Sequence, residues 1–270
     1  MVLGGTTEAR EAVRELARHG YPVIATAVTA HGASLLRTWG AAAVLQEAMD
    51  EARMRVVMET FGVHVLLDAT HPYAAMASVN ALRAATASGV PYVRLERPPW
   101  PVPKHPRVHC CPDYLEAARL ACQLAAHGCV FLAIGSKRLR IFAEEARLRG
   151  VRLIARVLPD PGVLAACFEE GLGPADLVAL QGPVSRTLNE ALFRQFSVDV
   201  VVTKESGREG GTPEKVEAAV ALGLDVIVVK RPAPKGPPAE GVAEALRMIE
   251  EEMKGEGSGC GGSGPRVEGD

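Results

Sequence analysis

The sequence predicts an α/β protein with mainly parallel sheets, divided into two halves. Three observations carry this reading. Short aliphatic runs are almost continuous in apolar residues, as in strands covered on both faces. Amphipathic stretches with helical spacing lie between them, and repeated strand–helix alternation implies parallel sheets with right-handed crossovers. Between the two series of such units stands "ERPPWPVPKHP", residues 96–106, with five prolines in eleven positions.

Taken in order, a brief strand at Met1–Leu3 is followed by "GGTTEAR", where a helix begins. The helical pattern "TEAREAVRELARHG" carries its charges on one face and stops at Gly20, which suits a helix C-terminus. Strands follow at "PVIATAV" (22–28), "VHVLLDA" (63–69) and "PYVRLE" (91–96). Proline cannot donate to a ladder and holds its predecessor extended, so residues 96–106 read as a linker or crossover. Beyond it come strands at 129–135, 151–158, 176–182, 199–204 and 225–231, with the helical pattern "TPEKVEAAVALG" ending at Gly223. The expected domains are therefore residues 1–100 and 101–253. The glycine-rich tail 254–270, "KGEGSGCGGSGPRVEGD", has almost nothing to bury and is expected to be disordered.

Composition narrows the functional classes. The 270 residues carry a formal net charge of −2, so no bulk field draws the chain to nucleic acid or an anionic membrane, and any anion must be met by locally placed groups. No apolar stretch approaches the roughly 18 to 20 residues that span a bilayer, and the first residues lack a signal-peptide pattern. A soluble, cytoplasmic protein is expected. The six cysteines include no C-x-x-C pair and no histidine at ligand spacing, so no metal site is expected and the thiols read as reduced.

The strand-to-helix loops carry the chemistry. In "VLGGTTEAR" the dinucleotide fingerprint G-x-G-x-x-G/A becomes G-x-T-x-x-A at Gly4, Thr6 and Ala9. This is either a phosphate loop at a helix start or a glycine turn with a threonine N-cap. About 20 residues on, where an NAD site places an acid, the chain reads "ATAVTAHGAS". Thr26, Thr29, His31 and Ser34 there could surround a 2′-phosphate, which favours NADPH. The stretch "LLDATHPYAAMASVNA" (66–81) gathers Asp68, Thr70, His71 and Tyr73 at a strand end. It is either a helix start capped by Asp68 or Thr70 with Pro72 in its first turn, or one wall of an active site in which His71 donates a proton. Three further loops, "AIGSKRL", "LQGPVSRTLN" and "VTKESGREGG", place polar residues beyond strand ends, where open α/β sheets bind ligands.

Together, "VLGGTTEAR", "LLDATHPYAAMASVNA", "VPYVRLERPPW", "VFLAIGSKRL", "QGPVSRTLNEAL" and the segment from "VVTKESG" to "VVKRP" resemble the precorrin-6A reductase family of cobalamin biosynthesis, including its cobalt-precorrin-6A branch. The resemblance runs from Val2 to about Pro232, and the wording of "AIGSKRL" and "QGPVSRTLN" leans to the cobalt branch. It implies two Rossmann-like domains with the substrate in a cleft between them. It also implies NADPH-dependent reduction of one double bond in a carboxylate-rich, ring-contracted tetrapyrrole, with NADH as the alternative donor. Hydride would arrive at one carbon and a proton at its neighbour. A polyanion of this kind can be held by local Arg and Lys in a chain of near-neutral charge. Contact with neighbouring enzymes of the pathway is allowed by the same reading.

The resemblance assigns Gly4, Gly5, Thr6, Thr7, Glu8 and Ala9, with Thr70, to the cofactor. It sets His71 and Tyr73 beside the nicotinamide and macrocycle as proton donors or orienting groups. Arg94, Arg97, Ser136, Lys137, Ser185, Lys204, Glu205 and Ser206 would bind substrate; Arg94 and Arg97 read alternatively as salt-bridged linker residues. The first strand is short for this family, so the chain's start reads as trimmed, and the tail with Cys260 lies outside the resemblance. A short-chain dehydrogenase would need Tyr-x-x-x-Lys, but Tyr21, Tyr73, Tyr92 and Tyr114 are followed four residues on by Ala25, Ala77, Glu96 and Ala118. A non-catalytic, redox-sensing NADPH-binding regulator is the alternative from another class. It would keep the phosphate loop without needing Lys137 or Lys204.

Overall fold

The computed structural model describes residues 1–233 and 238–257. The described residues form two compact units: Met1–Pro98 together with the described residues from Pro232 onward, and Pro99–Arg231.

In the first unit, strands β1 (Val2–Leu3), β2 (Ile24–Ala27), β3 (Ala43–Gln46), β4 (Leu66–Asp68) and β5 (Tyr92–Arg94) form an all-parallel sheet in the order β3-β2-β1-β4-β5. Helices α1 (Thr7–Arg18), α2 (Ala30–Thr38), α3 (Glu51–Thr60) and α4 (Ala75–Ser88) connect them. Successive strand residues face opposite sides. Val2 and Leu67 therefore pack with Ala9, Val13 and Leu16 of α1, while Leu3 and Leu66 pack with Met54, Met58, Ala81 and Ala85 of α3 and α4. This double burial is why the strands lack polar alternation.

The second unit holds β6 (Val108–Cys111), β7 (Cys129–Ala133), β8 (Arg152–Val157), β9 (Leu177–Ala179), β10 (Val200–Lys204) and β11 (Asp225–Val229). Its sheet is parallel throughout, in the order β6-β11-β10-β7-β8-β9. Helices α5 (Tyr114–Ala125), α6 (Leu139–Arg149), α7 (Pro161–Glu169), α8 (Arg186–Gln195) and α9 (Thr212–Ala221) cover it. Phe131 of β7 and Phe193 of α8 meet edge to face at 5.2 Å and 69° within one of its cores. Trp100 and Val102 of the proline-rich stretch pack on the same core, so that stretch is partly an element of this unit.

After Arg231 the chain returns to the first unit. Ala239 pairs with Leu95 beside β5, and α10 (Val242–Gly257) lays Ala245 and Ile249 against the α1 side of the first sheet. The expected assignment of residues up to 253 to the second half is corrected here: an amphipathic helix does not reveal from sequence which sheet it covers. The expected tail is corrected as well, because α10 continues to Gly257; the remaining tail residues, Cys260 included, lie outside the described residues.

Each sheet reverses its order once, between β1 and β4 in the first unit and between β7 and β10 in the second. At such a reversal the crossovers leave in opposite directions, opening a crevice beyond the strands' carboxyl ends.

The assignment of α10 has a direct check, because Trp39 lies in the first unit and Trp100 in the second. Ile249→Ala should cost about 2–3 kcal/mol in the denaturant transition seen by Trp39 when Trp100 is replaced by Phe. A larger loss in the transition seen by Trp100 would place the helix in the other unit.

Candidate functional site

The carboxyl end of β1 leads directly into α1. Gly4 donates its N–H to the Thr26 carbonyl at 3.0 Å, and a Cβ on Gly4 would sit 2.4 Å from that oxygen. Only glycine allows this approach of β1 to β2. Gly5 adopts φ +121°, and a Cβ there would meet nothing within 4 Å, so the loop is open on that side. Thr6 is the N-cap of α1: its Oγ1 accepts from Ala9 N–H at 3.0 Å and donates to the Ala69 carbonyl at 2.9 Å. The threonine in the place of the middle glycine thus stitches the β1 loop to the β4 loop. Ala9 is buried against the sheet, where the fingerprint asks for a small residue.

Glu8 does not present a bare carboxylate at this helix start. Arg97 donates to its Oε2 at 2.9 Å, with the two side chains 15% and 9% exposed. Arg97, expected to hold substrate, here offsets the one acid in the first turn of α1. Thr7 accepts a hydrogen bond from Arg10. At the end of β2, Thr29 caps α2 by accepting from Gly32 N–H, and His31 and Ser34 are exposed.

Beyond β4 the polar residues converge on one buried centre. Asp68 is 0% exposed, yet each carboxylate oxygen is engaged. Oδ1 takes the Thr70 N–H (3.0 Å), the Thr70 hydroxyl (2.7 Å) and Arg94 Nη1 (2.7 Å), and Oδ2 takes the Tyr92 hydroxyl (2.8 Å). Arg94, 4% exposed, spends its fork within the unit: Nε and Nη2 on Glu96 Oε1, Nη1 also on Thr70 Oγ1, and Nη2 also on the Thr70 carbonyl. The alternative reading of Arg94 as a salt-bridged residue fits these ion pairs with Asp68 and Glu96, although it lies buried in β5 and not in a linker. Burial, and then the Asp68 charge, push the Tyr92 phenol well above its usual range.

Neither Asp68 nor Thr70 caps the next helix. α4 begins at Ala75 after Ala74, without a side-chain cap, so the expectation of a capped start with Pro72 in the first turn is corrected. Asp68 instead folds the chain into a turn closed by Thr70, and the half-buried His71 follows that turn. His71 Nδ1 accepts the Tyr73 N–H at 3.2 Å. In the neutral ring the proton then sits on Nε2, which makes that nitrogen the donor. The His71 and Tyr73 rings lie 5.7 Å apart, tilted by 41°.

The reversal of the second unit brings two expected loops together. Lys137 is exposed after β7, where Gly135 turns the chain at φ +78°. Lys204 is partly buried at the end of β10; burial, and then the charge of Lys137, lower its pKa. Glu205 and Ser206 turn inward. Glu205 accepts from Trp100 N–H (3.1 Å), Gly207 N–H (3.0 Å) and Arg231, clamping together the first and last turns of this unit. Ser206 is held by Thr212, and Gly210 packs so tightly on it that a Cβ would lie 2.2 Å from its hydroxyl. Their expected contact with substrate is thus replaced by work inside the loop. Ser136 gives its carbonyl to Leu139 N–H, and Ser185 caps α8.

Two residues here, Arg156 and Lys215, were missed. Arg156 of β8 donates to the buried Asn189 at 3.0 Å, and Lys215 of α9 lies buried behind Lys204. A charge inside the apolar run "VRLIARVL" was the available signal for Arg156; the lysine of "TPEKVEAAV" reads as an ordinary solvated helix position. Among the described residues, no three or more His, Cys, Asp or Glu are grouped to hold a metal ion, and no helix is long and apolar enough to cross a membrane.

The family model described as "Precorrin-6x reductase CbiJ/CobK" matches residues 1–250. The chain is 37% identical over 233 residues to a cobalt-precorrin-6A reductase of Priestia megaterium, covering 86% of this chain and 90% of that one. It is 39% identical over 243 residues to a cobalt-precorrin-6A reductase of Methanothermobacter thermautotrophicus, covering 86% and 76%. A solved structure of CobK precorrin-6A reductase superposes with a TM-score of 0.73 at 28% identity, covering 93% and 96%.

Arg94→Met would strand the Asp68 carboxylate in the interior and should destabilise the protein by about 3–5 kcal/mol in urea unfolding. Arg94→Lys restores the charge without the fork and should recover only part of that loss. Full recovery by lysine would show that charge alone, and not the forked contacts, holds the turn.

Proposed function

The chain belongs to the precorrin-6x reductase family, oxidoreductases of cobalamin biosynthesis, and from that premise we propose that it reduces one double bond of precorrin-6A or cobalt-precorrin-6A with NADPH. The observation that carries this reading is the meeting of the Gly4–Thr6 loop with the Asp68–Tyr73 turn, joined by the Thr6–Ala69 hydrogen bond.

The β1 loop suits a dinucleotide. Gly5 leaves its open side clear, Thr6 caps the start of α1, and Arg97 offsets the charge of Glu8. The end of β2 carries Ala27, Val28 and Thr29 where an NAD site has its acid, which supports NADPH over NADH. The bound nicotinamide would supply the hydride. The chain's own residues have three tasks. Gly4, Gly5 and Thr6 position the cofactor. The Asp68–Arg94 centre fixes the turn beneath His71. His71, with Nδ1 occupied by Tyr73 N–H, would offer Nε2–H as the proton donor.

In the second unit, Lys137 and Lys204 offer two cations at one strand reversal, a suitable place for carboxylates of the macrocycle. A regulator that only senses NADPH has no use for this pair. The second-unit lysines therefore favour the reductase over a sensor.

Two measurements test the reading. Anaerobic NADPH oxidation should proceed with at least one of precorrin-6A and cobalt-precorrin-6A assayed side by side, and no turnover with either would refute it. His71→Asn should lower kcat about 10²- to 10⁴-fold while leaving NADPH affinity unchanged; an unchanged kcat would remove His71 as the donor. Separately, Lys204→Ala should weaken macrocycle binding far more than NADPH binding, and equal losses would show that its loop does not belong to the substrate.

A further inference from the structure

The core between the first sheet and helices α1 and α10 does not close at the amino ends of the strands. A partly open cavity of about 350 Å³ remains there, lined by Val2 of β1, Leu16 of α1, Ile24 of β2, Leu67 of β4 and Ile249 of α10. Protein interiors seldom leave gaps much larger than a water molecule, and a space of this size is in the range of small-molecule sites. The Gly4–Ala9 loop and the Asp68–Tyr73 turn stand at the other ends of the same strands, and neither contributes to the lining.

The walls indicate what the cavity would hold. Backbone donors along them are already paired: the Met1 amino group with the Val65 carbonyl at 2.8 Å, Tyr21 N–H with Leu16 at 3.1 Å, Ala42 N–H with Val23 at 2.8 Å and Val63 N–H with Met58 at 2.9 Å. The surface that remains is chiefly apolar, and among the described residues that line it there is no Lys, Arg, Asp or Glu. A charged ligand would lose its hydration without compensation. Tyr21 and Phe61 add two aromatic rings to the lining, and Phe61 is 46% exposed. A dry cavity of about 150 Å³ takes one benzene ring, so this one has room for two fused rings.

We propose that this cavity is an effector site for a small neutral aromatic molecule of about the size of indole, coupled to the cofactor loop through β1. The site itself rests on the cavity; its link to NADPH rests on the reductase reading. β1 is two residues long, so Val2 lines the cavity while Gly4, two positions on, begins the loop. Helix α1 joins the same two places, from its Thr6 cap to Leu16, and Leu67 directly precedes Asp68. Side chains that border a void lose their dispersion contacts on that side. A ligand that restores those contacts holds β1 and α1 in the arrangement the cofactor needs, so each ligand binds more tightly beside the other.

The test uses the full chain with indole as the neutral probe, indole-3-acetate as its charged counterpart, and NADPH. With methionine methyls labelled, indole should show nuclear Overhauser contacts to Met253, which also lines the cavity, and should raise Tm. Indole-3-acetate should bind about tenfold more weakly or worse. Phe61→Ala should weaken indole binding about three- to tenfold, and Ala42→Trp, which fills the space, should abolish the Met253 contacts. Saturating indole should tighten NADPH binding about fivefold, NADPH should return the same factor, and Ala42→Trp should remove both gains. Should Ala42→Trp fail to fold, Phe61→Ala and the probes on the unaltered protein decide.

No contact with Met253, equal binding of the acid, or displacement of indole by NADPH would overturn the site. A dimer that indole dissociates would put a side chain of a second copy in the cavity and overturn it as well. NADPH affinity independent of bound indole would overturn the coupling. Absence of NADPH binding with the Met253 contacts intact would remove the reductase reading and leave the site standing.

Discussion

The architecture around His71 depends on one buried ion pair, Asp68 with Arg94. A carboxylate at 0% exposure survives only with its oxygens occupied, and Asp68 has four donors from Thr70, Arg94 and Tyr92. These donors come from three places in the chain: the Asp68–Thr70 turn and two positions of β5. Satisfying the charge therefore sets the register of β5 beside β4 and the path of the chain after β4 in one step. The forked geometry matters, because a single point charge could not also reach the Thr70 carbonyl and Glu96. The pair's net contribution to stability is modest next to well-packed apolar side chains; what it supplies is a single conformation for the turn.

Topology explains why so few residues suffice. In each unit the functional loops flank the single reversal of strand order, β1 with β4 and β7 with β10. Parallel strands place all their carboxyl ends on one edge, so loops far apart in sequence become neighbours without long excursions. Thr6 and Ala69 are 63 residues apart and share a hydrogen bond. Lys137 and Lys204 come near enough for one charge to depress the other.

The α/β class and most strands were legible because burial on both faces leaves continuous apolar runs. The edge strands β3 and β6 were not, since "AVLQ" and "VHCC" are only half covered and lack that signature. The Gly4–Ala9 loop was readable from glycine spacing, and the polar turn at 68–73 from its crowding of functional groups. The partners of those groups were harder. Arg94, Arg97 and Glu205 look like ligand-binding charges in a one-dimensional reading, yet the structure spends them on Asp68, Glu8 and Trp100, because a charge's partner is set by tertiary position. Lys215 was invisible for the converse reason: nothing in a helical "EK" announces burial.

In the proposed reaction a hydride passes from NADPH to one tetrapyrrole carbon and a proton from a donor of the chain to the neighbouring one. The most direct measurement is isotopic: turnover with NADPH deuterated at the transferred position of the nicotinamide, followed by mass and NMR analysis of the reduced macrocycle. A single deuterium is expected at one carbon of the reduced bond, with the hydrogen at its neighbour coming from solvent. Product formed without cofactor deuterium, or with both new hydrogens drawn from solvent, would contradict it.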